Sequence, residues 1–144
     1  MTTMTQEDKD VLLKDLCTRL PYGIKAKIKY HDGAWELLAI YTNGTIHATR
    51  DVGYPIETYF EDCTPYLFPL SSMTEEQYYE LQTISCKDCL EHMEVEKEWR
   101  NNSSFYHLPL YEYRVIDFFD RNHFDYRGLI PMGLANDATG LNIY

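Results

Sequence analysis

Glycine and proline are scarce, thirteen between them in 144 residues, which sets the collagen-like and low-complexity classes aside. Long apolar runs are missing too. The longest, such as Leu37–Tyr41, fall far short of the roughly 20 residues a membrane-spanning helix needs. The opening residues, MTTMTQEDKD, have neither the basic region nor the apolar core of a secretory signal, so the expected compartment is the cytoplasm. Cysteine is sparse: Cys17, Cys63, Cys86 and Cys89 would allow two disulfides by number, but a cytoplasmic chain keeps its thiols reduced.

Basic charge is short in one region only. Net charge is -10, and residues 1–50 carry seven Lys/Arg against six Asp/Glu, whereas residues 51–144 carry six against seventeen. That balance argues against gripping a nucleic-acid backbone, where Lys and Arg neutralise phosphates. It suits a basic protein partner, or solubility alone. Catalytic signatures are missing as well: no G-x-S-x-G, H-E-x-x-H, Walker loop or G-x-G-x-x-G occurs. What the chain has is 44% apolar residues and thirteen tyrosines, enough for one core, with rings that double as contact groups.

Thr5 and Asp8 form a capping-box pair, and Leu12, Leu13, Leu16 and Leu20 recur at helical spacing before Pro21 and Gly23, predicting a helix from about Gln6 to Arg19. Ile24, Ala26, Ile28 and Tyr30 then alternate with Lys25, Lys27 and Lys29, the period of a strand with one apolar face. Asp32-Gly33 and Asn43-Gly44 are hairpin dipeptides bracketing a strand from Trp35 to Tyr41, with a third strand at Thr45–Thr49. A short strand around Glu57 and a proline-punctuated connection to about residue 71 follow. Ser72 with Glu75 predicts the start of a helix over about residues 74–84, and Val115, Ile116, Phe118 and Phe119 mark another ending near Arg121. The fold expected is a single α+β domain: an N-terminal helix, a small antiparallel meander of three to four strands or a partly open barrel, then two to three helices packed on one face.

Four sets of residues are candidates for chemistry. Cys86, Cys89 and His92 have metal-ligand spacing, but a tetrahedral site needs a fourth ligand and a helix would splay the three, so ordinary thiols and no cofactor are expected. A small enzyme using these groups or a His pair is the weakest option. Glu75, Glu76 and Glu80, with Glu91, Glu94 and Glu98 along one helical face, are read either as a solvated surface or as an acidic contact for a protein partner. Lys25, Lys27, Lys29 and Arg50 are the cations that would meet the phosphates of a nucleotide-like ligand, with Trp35 or Tyr41 to stack on a base. Asp125 and Arg127 lie in a turn that either borders a cleft or fixes the C-terminal tail by an ion pair.

The segments LLKDLCTRLPYG (12–23), PYLFPLSSMTEEQ (65–77), HFDYRGLIPMGLA (123–135) and ATGLNIY (138–144) resemble a family of small uncharacterised proteins from gut Bacteroidales genomes, their phages and mobile elements. The resemblance runs from end to end and is weakest across the strands and residues 86–105. It implies an accessory protein acting in the bacterial cytoplasm and carries no activity or site residues with it. The expectation is a non-enzymatic binding protein of anti-defence type that modulates a host protein through an acidic, Tyr-rich surface. The alternative is a binder or sponge for a nucleotide signal.

Overall fold

The computed structural model describes residues 4–50, 53–84 and 113–144. Helix α1, Gln6–Arg19, opens on the expected capping box, in which the Thr5 hydroxyl accepts the Asp8 N–H and the Asp8 carboxylate accepts the Thr5 N–H. A short 3-10 turn, Leu20–Tyr22, and the left-handed Gly23 end it. Its inward stripe is mixed: Leu12 and Leu16 are buried, and so are Asp15 and Arg19.

Strand β1, Lys25–Ile28, buries Ile24, Ala26 and Ile28 and turns Lys27 and Lys29 to solvent. Alternation stops at Tyr30, whose φ of +69° takes the chain out of the sheet and leaves the ring 90% exposed. The Asp32-Gly33 hairpin is therefore a longer loop. Strands β2 (Ala34–Ile40) and β3 (Thr45–Thr49) pair antiparallel with a bulge between Leu37 and Ala39. At their turn the Asn43 side chain accepts the Thr45 N–H, and Gly44 sits at φ +87°. A Cβ on Gly44 would stand 3.1 Å from the Phe60 ring, so that position needs glycine on two counts.

Strands β4 (Ile56–Tyr59), β5 (Cys63–Leu67) and β6 (Asn136–Asp137) complete an open six-stranded sheet of order β4-β3-β2-β1-β5-β6, antiparallel except for the β5–β6 pair. The sheet thus exceeds the expected three to four strands. The segment read as a proline-punctuated connection contains β5, and Pro65 fits because of its register. Lys29 N–H bonds the Asp62 carbonyl, so the alternation of an antiparallel ladder makes Ala26–Pro65 a non-hydrogen-bonded pair that asks no donor of Pro65.

Helix α2, Glu75–Ile84, starts where expected but is capped by Thr74, not Ser72: the Thr74 hydroxyl accepts the Gln77 N–H and the Gln77 side chain accepts the Thr74 N–H. Ser72 instead donates to the Pro69 carbonyl. Helix α3, Tyr113–Arg121, supplies Val115, Phe118 and Phe119. Two apolar clusters result. One sets Leu12 and Leu16 of α1, with Leu129 and Leu134, against the inner sheet face of Ala26, Ile28, Leu37, Ile46 and Leu67. The other gathers Leu70, Tyr78 and Leu81 with Phe118, Phe119 and Phe124. No helix among the described residues is long and apolar enough to cross a membrane.

Candidate functional site

The register sets Lys25 opposite Glu36 and Glu36 opposite Thr49, so a cation, an anion and a hydroxyl stand in a row on the outer face of the sheet. The C-terminal tail forms a wall beside them. Lys25 Nζ donates to the Ile143 carbonyl at 3.0 Å, and the Tyr144 hydroxyl accepts the Lys25 N–H and donates to the Tyr66 carbonyl. The Tyr144 ring stacks on His123 at 3.6 Å. On the far side Arg50 Nη1 donates to the Asp32 carbonyl at 2.7 Å, and its guanidinium lies 4.9 Å over the Trp35 ring. Gly33 lets that arginine pass, for a Cβ there would stand 3.1 Å from Nη1. Together Lys25, Glu36, Thr49, Arg50, Asn142 and Ile143 border a cavity of about 530 Å³, within the size range of small-molecule sites.

Of the residues singled out for a nucleotide-like ligand, the fold brings together Lys25 and Arg50. Lys27 is exposed on the same strand but does not border the cavity. Trp35 is buried beneath Arg50, with the His31 ring edge-on to it, so its indole is no platform for a base. Glu36, Asn142 and Ile143 are additions. Glu36 was within reach of the alternation in β2, whereas the return of a tail 118 residues from Lys25 has no local signal.

Asp125 and Arg127 lie elsewhere, in a buried ionic network. The Asp15 carboxylate accepts from Arg19 Nε at 2.8 Å and from Arg127 Nη1 at 2.7 Å. Arg19 also donates to the Phe124 carbonyl, and both guanidinium groups lie over the Tyr126 ring. Asp125 accepts the Leu129 and Ile130 N–H groups and pins the turn that follows. The ion pair and turn thus fix the tail segment, with Asp125 itself buried. Burial alone would lower the Arg19 guanidinium, but Asp15 and Asp120 outweigh it and hold the group above its ordinary value. Burial raises the Asp120 and Asp125 carboxyls against the pull of Arg19 and, for Asp125, of the two N–H groups. His123 is pushed down to about 4 by burial, with Arg19 and Lys25 adding to the effect.

The acid of residues 51–144 is divided. Glu75, Glu76 and Glu80 are exposed on α2 around Tyr79, which is 67% exposed, and Glu80 reaches Arg121 at 3.1 Å. Glu57 meets His47, Glu61 meets Lys9, and Asp117 accepts from the Tyr22 hydroxyl. Glu91, Glu94 and Glu98, and the Cys86, Cys89 and His92 set, lie outside the described residues. Cys17 is exposed and Cys63 buried, neither in a disulfide. Burial and the Asp62 carboxylate push the Cys63 thiol up to about 12, so it is no nucleophile near neutral pH. Among the described residues no group of three or more His, Cys, Asp or Glu is placed to hold a metal ion. Comparison of the chain with protein-family models, curated proteins and solved structures finds no match.

Proposed function

We propose that this chain is a non-enzymatic binding protein, a phage or mobile-element accessory protein that engages a basic surface of a host protein through helix α2. One observation carries the reading: Glu75, Glu76, Tyr79 and Glu80 are exposed side by side on a single helix face. The spacing of i, i+1, i+4 and i+5 groups them around one turn. Carboxylates steer a basic partner to the site, and a tyrosine ring adds contact area at low entropic cost. The regional acidity and the abundance of tyrosine in the chain support the same reading.

The test is capture from host lysate with tagged chain, against a variant carrying Glu75→Lys, Glu76→Lys, Glu80→Lys and Tyr79→Ser. A basic protein held by the natural chain, released by rising salt and lost from the variant is the expected result. Identical captured proteins from both chains would sink the reading.

A further inference from the structure

The cavity on the outer sheet face has no part in that reading. Its chemistry is that of a divided charge. Lys25 spends one of three ammonium hydrogens on the Ile143 carbonyl, and Arg50 is held by one nitrogen on the Asp32 carbonyl and by the Trp35 ring beneath it. Each cation is fixed in place with N–H groups to spare, a preorganised arrangement. Glu36, half-buried between the strands that carry them, has no hydrogen bond or ion pair among the described residues, although Lys25 is its cross-strand neighbour. Its carboxylate leans over Gly23, with Oε1 3.2 Å from where a Cβ would stand.

A half-buried carboxylate without a partner asks for a donor, best a cationic one. The two cations on either side ask for an anion. From this juxtaposition of an unpaired Glu36 with anchored Lys25 and Arg50 in one cavity, we propose a binding site for a small zwitterion of amino-acid or dipeptide size. Its ammonium meets Glu36, and its carboxylate meets Arg50, whose fork matches a carboxylate, or Lys25. Thr49 and Asn142 supply neutral polar groups at the rim. A nucleotide is the poorer fit, because Glu36 repels its phosphates and the buried Trp35 offers its base no ring.

Titrations of the 15N-labelled chain followed by amide NMR test this. The probes are each of the twenty free amino acids, Gly-Gly and Ala-Ala, then ethylamine and propionate as the halves of alanine, and finally ATP and a cyclic dinucleotide. At least one zwitterion should saturate, moving the amides of Lys25, Glu36, Arg50 and Asn142. Ethylamine and propionate should bind at least tenfold more weakly than any zwitterion that saturates. Glu36→Gln, which keeps the shape of the side chain, should weaken the zwitterion at least tenfold. Saturation by a nucleotide alone, no saturation by any zwitterion, or unchanged affinity in Glu36→Gln would each overturn the proposal. Glu36→Gln leaves helix α2 untouched, so lysate capture by that variant reports on the protein partner separately.

Discussion

At the scale of single residues, Asp15 matters most to the frame, because one fully buried carboxylate is shared by two arginines that come from opposite ends of the chain. Removing it leaves Arg19, itself fully buried, with the Phe124 carbonyl and the Tyr126 ring as neutral partners and, among the described residues, a distant Asp120 at 3.9 Å as its countercharge. Breaking a buried pair from one side typically costs about 3–5 kcal/mol, since the surviving charge stays out of water. Asp15→Ala should therefore lower the unfolding free energy by that amount in urea, with the slope against urea unchanged. A loss below about 1 kcal/mol would show that water solvates Arg19 in the folded chain. Nothing local in the sequence marks this network. Asp15 and Arg19 stand four apart, a spacing typical of a solvated helix pair, and the groups that bury them, Phe124 and Arg127, lie 105 and 112 residues away.

At the scale of elements, legibility follows the range of the interactions that set each one. The capping box of α1 and the alternation of β1 are local patterns, and both stand in the structure. Strand β5 was hidden because Pro65 and Pro69 read as punctuation, and only its pairing with β1 explains why Pro65 is tolerated. The two-residue β6 exists because the tail returns beside Tyr66 and Leu67, and the cavity depends on the same return. Helix α2 shows a finer miss, its cap displaced from Ser72 to Thr74 by the competing bond of Ser72 to Pro69. Thr74→Ala should cost about 1 kcal/mol, the usual value of an N-cap, and speed amide exchange in the first turn of α2. Ser72→Ala should cost less and leave that turn protected; the reverse ranking would return the cap to Ser72.

At the scale of the whole molecule, the two apolar clusters are joined where α1 of the first meets α3 and residues 120–127 of the second, and buried titratable groups occupy that junction. Stability should consequently depend on pH. His123 binds its proton at about 4 in the folded chain against 6.5 when unfolded. Between those values the unfolded state holds more protons, so stability rises with pH across the window and its full share is present above 6.5. The shift caps that share at about 3 kcal/mol. Asp120 and Asp125 act in the opposite sense: burial raises them, so the folded chain keeps protons the unfolded chain has shed, and stability falls as pH rises from 3.8 through their folded values. The two effects oppose each other, and the interval from pH 5 to 7 brackets the unfolded-state value of His123, so a variant without the imidazole isolates its share there. In urea, His123 by itself should make the natural chain about 1–2 kcal/mol less stable at pH 5 than at pH 7. His123→Asn removes the titration while keeping a residue suited to the left-handed φ of +61° at this position. It gives up the ring stacked on Tyr144, so it should be less stable at pH 7, but this contribution to the difference between pH 5 and pH 7 should vanish. A variant as sensitive as the natural chain over that interval would move the pH dependence away from His123 and onto other groups.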